Sequence, residues 1–356
     1  MTDPLHGFGF TGGRISAIPD SSPDGTMVRA GLVDIQVNGG WGHDFTSDPS
    51  AIWKVGMMLP ATGVTSFLPT IVTAPYAVAD AAIDALREGR PHGYRGAEPV
   101  GLHIEGPWIS PGWKGAHDPD HLRPPDPEVA RRWAESEIVR MVTMAPELSG
   151  ASETASILAR AGVVVSAGHT GADFSTAERA LAGSWSAVTH LFNQMTPLHH
   201  RSPGMVGAAL LSDRPCGIIV DGLHNDPATV ELAWRLLGPD RLVLVTDAIA
   251  AAGIVEGEYP LGDRQVEVGP EGPRTGSGTL AGSTLTLERA VANLTAWTSA
   301  TTDQALVCAS ANPAQALGLD DRGDLVPGAR ADIVVFDEGL RVVRALVGGM
   351  VVYEGV

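Results

Sequence analysis

Short apolar, β-branched runs recur along the chain, and most are followed by a stretch with helical spacing. Runs at 32–40, 63–70, 100–105, 139–144, 163–167, 187–190, 217–221 and 242–247 read as strands. Their apolar character is nearly continuous rather than alternating, the mark of strands covered on both faces. Helical spacing at 51–59, 77–87, 127–136, 151–161, 175–182 and 227–237 separates most of them. Eight such units predict an α/β fold, a distorted (β/α)8 TIM-like barrel of parallel strands. An open doubly wound sheet is the alternative architecture.

The ends of the chain follow another pattern. Residues 8–30 are rich in Gly, Ser, Pro and Asp, with short apolar pieces such as 14–18. Beyond Asp247 the segment 253–278 is rich in Gly and Pro and holds a hairpin-like piece at 265–268. Helical patterns return at 284–298 and 302–311, and strand patterns at 331–337 and 342–353. Both termini are therefore expected to meet in a small flanking β-sandwich of residues 1–30 and 325–356, beside a barrel of residues 31–324.

Composition narrows the functional classes. Of the 356 residues, 44% are hydrophobic and 18% charged, enough for a sizeable core. No run approaches the roughly 18 apolar residues of a membrane span. Residues 1–10 lack a basic region followed by an apolar core, so no secretory signal is expected. The only cysteines are Cys216 and Cys308, which make no disulfide framework and fit a reducing cytoplasm. A formal charge of -17 argues against nucleic acid and anionic lipid as partners. A small anionic substrate can still bind where cationic side chains gather.

Polar residues collect at the carboxyl ends of the predicted strands. The first ends in Gln36 and Asn38, the third in His103 and Glu105, and the fifth in His169 and Thr170. The sixth gives His190 and Asn193, the seventh Asp221 and His224, and the eighth Asp247. In a barrel that face carries the active site. The sixth strand runs into the densest cluster, from Thr189 through Gln194 to His199, His200 and Arg201. A loop of solvated histidines is the plainer reading of that stretch taken alone.

Glu105, His169 and His190 form the best metal-ligand set. One carboxylate and two imidazoles leave a fourth position open, the composition of a catalytic zinc site. Zinc is the first expectation for this one divalent ion; iron, manganese and cobalt use the same ligands. The competing reading makes His169 a core histidine bonded to backbone, but an unpaired polar group ending an apolar strand is costly. His103 shares a strand face with Glu105 and is a ligand or a partner of one. Asp247 suits general base and acid work, or alternatively caps a following helical turn.

Together these motifs resemble the N-acetylglucosamine-6-phosphate deacetylases of the amidohydrolase superfamily. The resemblance rests on Gly31 to Gly40 (GLVDIQVNGG), Gly101 to Trp108 (GLHIEGPW), Lys114 to His117 (KGAH) and Ala145 to Glu147 (APE). It continues through Ser166 to Thr170 (SAGHT), Thr189 to Asn193 (THLFN), Asp221 to His224 (DGLH), Val245 to Ala248 (VTDA) and Gly278 to Ser283 (GTLAGS). It implies metal-dependent removal of an acetyl group from a phosphorylated amino sugar by a homodimer. It makes Glu105, His169 and His190 the metal ligands and Asp247 the general base and acid. His117 would contact the acetamido carbonyl. Asn193, Arg201 and His224 would bind the sugar phosphate, with Arg201 or His224 reaching across the dimer interface. Ala281 and Gly282 would supply backbone contacts. Relatives often carry His-x-His at the end of the first strand, where a second metal binds; Gln36 and Asn38 stand there instead and imply one metal. Gln194 stands where Ala is common and either narrows the pocket or bonds the substrate. N-acetylgalactosamine 6-phosphate is the alternative substrate, and a non-catalytic sugar-phosphate binder the alternative class.

Overall fold

Each of the eight apolar runs contains a strand. In chain order these are β1 (Leu32–Val37), β2 (Val64–Val72), β3 (Leu102–Glu105), β4 (Val139–Met144), β5 (Val164–Ala167), β6 (Ala187–Val188), β7 (Cys216–Ile218) and β8 (Leu242–Leu244). The computed structural model describes residues 3–19, 26–254 and 256–355. All eight strands are parallel to their neighbours and follow one another around the sheet in chain order. Every residue of β1 and of β2 is buried, which is why these runs are apolar without alternation.

The ring closes between β1 and the chain just beyond β8. Asp247 N–H donates to Gln36 O at 2.9 Å and Asn38 N–H to Ala248 O at 2.8 Å. At the same seam Thr246 donates its hydroxyl to Asp34 Oδ2 at 2.6 Å. Burial pushes the Asp34 carboxyl up to about 7, against the lowering effect of the Thr246 bond. The interior below the mouth is partly polar. Thr70 bonds His103 Nδ1 (3.2 Å), His103 Nε2 bonds Thr143 (2.8 Å), and Thr143 and Ser166 both meet the Thr189 hydroxyl (2.7 and 2.6 Å). This chain of buried groups links β2, β3, β4, β5 and the end of β6. Both His103 nitrogens are spent in it, so His103 is a core histidine and not a ligand.

Some helices start where their sequences provide side-chain caps. Asp126 accepts from Glu128 and Val129 N–H ahead of Pro127–Glu135, and Asp226 accepts from Ala228 N–H ahead of Pro227–Arg241. A helix at Gly204–Leu211, between β6 and β7, departs from the expected pattern. Its first seven residues are all buried, so the sequence GMVGAALL has no polar face and no 3.6-residue period to read.

The flanking unit is a four-stranded antiparallel sheet in which Thr26–Ala30 pairs with Ile333–Asp337, followed by Val342–Val347 and Met350–Glu354. A hairpin of Gly9–Thr11 and Arg14–Ala17 brings Phe8 and Phe10 against its buried face, which holds Val28, Ile333, Val335 and Leu346. Val334 and Phe336 point the other way, into the barrel's core. The part of the expected sandwich at positions 1–2, 20–25 and 356 lies outside the described residues. Among the described residues no helix is long and apolar enough to cross a membrane.

A third sheet, Gly257–Leu261, Arg264–Gly269 and Gly272–Thr275, forms an antiparallel meander. It packs Leu261, Val266 and Val268 onto Val72, Ile249, Ala251 and Ala281 at the carboxyl end of the barrel. It thereby roofs the mouth where the polar strand ends converge.

Candidate active site

Glu105 ends β3 with its carboxylate at the centre of the mouth. His169 Nε2 lies 3.1 Å and His190 Nε2 3.0 Å from Glu105 Oε1, and the two imidazole nitrogens lie 3.0 Å apart. All three side chains are buried. His169 Nδ1 donates to Trp113 O at 2.9 Å, which leaves the Nε2 lone pair facing the other two groups. Three acceptor atoms this close repel one another unless positive charge sits among them. A divalent cation satisfies all three at once, and the set matches the two imidazoles and one carboxylate of an open metal site. Burial alone would raise the Glu105 pKa, but positive charge held among the three groups keeps it well below the usual carboxylate range.

The backbone aims these groups. His169 (φ 49°), His190 (φ 27°) and Asp247 (φ 51°) all leave their strands at positive φ. That region is unfavourable for residues with a Cβ, at a cost of order 1–3 kcal/mol each, and is kept where surrounding structure enforces it. The turn lifts each side chain out of the ladder and across the mouth.

Asp247 stands beside this triad. Asn38 Nδ2 donates to its Oδ1 at 2.7 Å and Gln36 Nε2 at 3.1 Å, while Gln36 Nε2 also lies 3.2 Å from both Glu105 oxygens. The two amides thus point donors, not lone pairs, at the carboxylates, and so suit one cation rather than two. Burial and the neighbouring Glu105 charge push Asp247 up to about 6. Among the described residues its Oδ2 carries no such bond.

His117 lies against His169, ring centroids 4.4 Å apart. Thr73 N–H donates to its Nδ1 at 3.3 Å, and the Thr73 hydroxyl contacts the same atom at 2.7 Å. Nδ1 is therefore the acceptor and Nε2 carries the proton. Burial lowers its pKa to about 3, so the ring is a neutral donor.

One cavity is lined by Glu105, His169, His190, Asp247 and His117, and also by Asn193, Gln194, His224 and Gly282. His224 is oriented by Asp221 Oδ2 at 2.7 Å from its Nδ1. Ala281 is fully buried behind the wall, and its N–H is already bonded to Pro273 O. Arg201 does not line the cavity of its own chain; it is exposed and bonds His200 Nε2 at 2.8 Å. Sequence reasoning missed Thr73, which sets the His117 tautomer, and Asp118, Asp263 and Arg264, which line the cavity from its roof and rim. Thr73 could have been found as the polar residue just past β2; the roof residues carry no comparable signal.

A profile of the amidohydrolase family matches residues 27–352. The chain belongs to this family. It is 40% identical over 349 residues to the N-acetylglucosamine-6-phosphate deacetylase of Bos taurus, covering 93% of this chain and 84% of that one. It is 38% identical over 331 residues to the N-acetylgalactosamine-6-phosphate deacetylase of Escherichia coli O157:H7, covering 92% and 88%. The N-acetylglucosamine-6-phosphate deacetylase of Thermotoga maritima superposes with a TM-score of 0.90 at 34% identity, covering 98% and 95%. A variant of the Mycobacterium smegmatis enzyme, solved in complex with N-acetyl-D-glucosamine-6-phosphate, superposes with a TM-score of 0.88 at 34% identity, covering 96% and 93%.

Proposed function

We propose that this amidohydrolase hydrolyses the N-acetyl group of N-acetylglucosamine 6-phosphate, giving glucosamine 6-phosphate and acetate in amino-sugar catabolism. The observation that carries this reading is the convergence of Glu105, His169 and His190 beside an amide-held Asp247, in a chain whose relatives are deacetylases of such sugars. Glu105, His169 and His190 hold one divalent ion, zinc by donor set, with iron, manganese or cobalt as substitutes. When bound, that ion supplies Lewis acidity, acidifying water and polarising a carbonyl.

The chain's own groups do the rest. Asp247 takes the proton as water attacks the acetamido carbonyl, and returns it to the nitrogen as the C–N bond breaks. Gln36 and Asn38 fix its Oδ1 so that Oδ2 is the oxygen that carries the proton. His117 donates its Nε2 proton to the carbonyl oxygen as negative charge develops there, the kind of electrostatic contribution that is often the largest. His224 and Asn193 hold the sugar phosphate, with Gly282 offering a backbone contact and Gln194 a side-chain amide; Ala281, buried with its N–H bonded to Pro273 O, supports the wall from behind. Arg201, exposed in its own chain, reaches the cavity of a second copy in a homodimer. We assign residues 1–30 and 325–356 to the flanking sandwich and 31–324 to the catalytic barrel. The buried free thiols of Cys216 and Cys308 support a cytoplasmic enzyme.

The relative named for the galacto epimer favours one second reading, deacetylation of N-acetylgalactosamine 6-phosphate. Acetate release by metal-loaded protein, measured on both epimers and on unphosphorylated N-acetylglucosamine, tests both. Preference for N-acetylglucosamine 6-phosphate supports the main reading. Equal turnover without the phosphate overturns it.

A further inference from the structure

Among the described residues, Arg264 is the one Lys or Arg that lines the active-site cavity. It sits on the meander that roofs the barrel, at the start of Arg264–Gly269. Its Nε is buried and meets no acceptor in the protein. The nearest carboxylate oxygen, Asp118 Oδ2, is 3.7 Å away, too far for a hydrogen bond. Asp118 spends its Oδ1 on Asp120 N–H at 2.9 Å. The two side chains thus form a loose ion pair on the cavity wall, close enough to pair charges but leaving Nε without an acceptor at hydrogen-bond distance. Leaving a buried donor unpaired is costly unless a ligand completes it.

The tip that carries Arg264 is tied down on both flanks. Gly262 N–H donates to Asp44 Oδ1 at 3.0 Å, and His121 Nε2 lies 3.0 Å from Asp263 Oδ2. The part-exposed arginine therefore sits at the cavity rim on a tethered tip. The chemistry of the pair points to its ligand. Asp118 and Asp263 would repel a phosphate here. A hydroxyl suits the pair, since it donates to a carboxylate and accepts from a guanidinium with the same oxygen. Position agrees: Asp118 follows β3 and His224 follows β7, four strands away around an eight-stranded ring, so the two stand on opposite sides of the mouth. Asp118 also comes directly after His117, the residue assigned to the acetamido carbonyl.

We propose that Arg264 and Asp118 bind a sugar hydroxyl on a carbon next to the one bearing the acetamido group, and so set specificity for the sugar end opposite the phosphate. This rests on the deacetylase reading above. The test is a cycle between enzyme and substrate. Acetate release is measured for wild type, Arg264→Ala and Asp118→Asn on N-acetylglucosamine 6-phosphate and on its 1-deoxy and 3-deoxy analogues. Wild type should lose roughly 10- to 100-fold in kcat/KM on one analogue, the scale of a hydrogen bond to a charged group. Arg264→Ala should show a similar loss on the parent sugar, mostly in KM, and no further loss on that analogue. Asp118→Asn repeats the comparison should Arg264→Ala fail to fold. Equal deoxy penalties in wild type and variants, or no penalty in wild type, overturns the proposal while the deacetylase reading stands. No acetate from the parent sugar with metal-loaded wild type overturns both.

Discussion

Asp247 combines three features that rarely coincide by chance: positive φ, burial, and two amides bonded to one carboxylate oxygen. Structural aspartates are seldom held this way, because strain and desolvation both work against them. Replacing it with Asn keeps the shape and removes the proton acceptor. Asp247→Asn should lower kcat by roughly 10²- to 10⁴-fold while bound metal stays at the wild-type level. Near-normal turnover, with metal content measured in the same sample, would remove Asp247 from its role. The same scale explains why Glu105, His169, His190 and Asp247 were readable from sequence. Each is a polar residue ending an apolar run, so it stands out against its neighbours. Thr73 and Arg264 do not stand out, because their importance lies in what they face rather than in what precedes them.

The strands show what neighbours in the ring do for one another. Thr189 is the junction of the buried hydroxyl chain, serving Thr143 and Ser166 together. Thr189→Val keeps the volume, strands the buried Ser166 hydroxyl and takes one of Thr143's two bonds, so it should cost about 1–3 kcal/mol in a denaturant melt. A cost near zero would mean the hydroxyls find other partners. Asp34 makes a different prediction at the β1–β8 seam. Its folded pKa of about 7 lies above the ordinary 3.8, so the folded state holds a proton that the unfolded chain releases between those values. That contribution is fully present below the unfolded pKa and is lost as pH rises through the folded one. Relative to Asp34→Asn, wild type should therefore lose up to about 1.4 kcal/mol per pH unit from roughly pH 4 to pH 7, and nothing more above that. Parallel stability curves for the two proteins would contradict the assignment. None of this was legible in the sequence, where His103, Thr143, Ser166 and Thr189 are isolated polar residues in apolar runs. The helix at Gly204–Leu211 escaped for the opposite reason, having no polar residues to mark its period.

For the molecule as a whole, the metal ties chemistry to stability. Glu105 comes from β3 and His169 and His190 from the ends of β5 and β6, so an ion bound by all three clamps neighbouring parts of the ring. Anything that binds the folded state alone stabilises it by mass action, about 4 kcal/mol at a thousandfold excess over Kd. Removing metal with a chelator should lower the melting temperature and abolish acetate release together, and one equivalent of zinc per chain should restore both. Activity that survives complete metal removal would sink the proposed function. The net charge of -17 makes local placement of cations matter more. Under the proposed function, a phosphorylated sugar would be repelled at long range and held only where His224, and the Arg201 loop of the proposed second copy, offset the field.

The eight strand-helix units and the shortlist of polar residues at strand ends were legible in the sequence itself, with an open sheet left as the alternative to a closed ring. An apolar run broken by an acid or an imidazole carries that information locally, and the barrel's rule that sites lie at strand carboxyl ends supplies the rest. Tertiary structure alone decided which of those residues meet. It spent His103 on two threonines and turned His169, His190 and Asp247 inward through left-handed backbone. It left Arg201 outside its own cavity and brought Arg264 over the roof to face Asp118. Those outcomes depend on distances between groups far apart in the chain, and no local pattern of hydrophobic and polar residues encodes a distance.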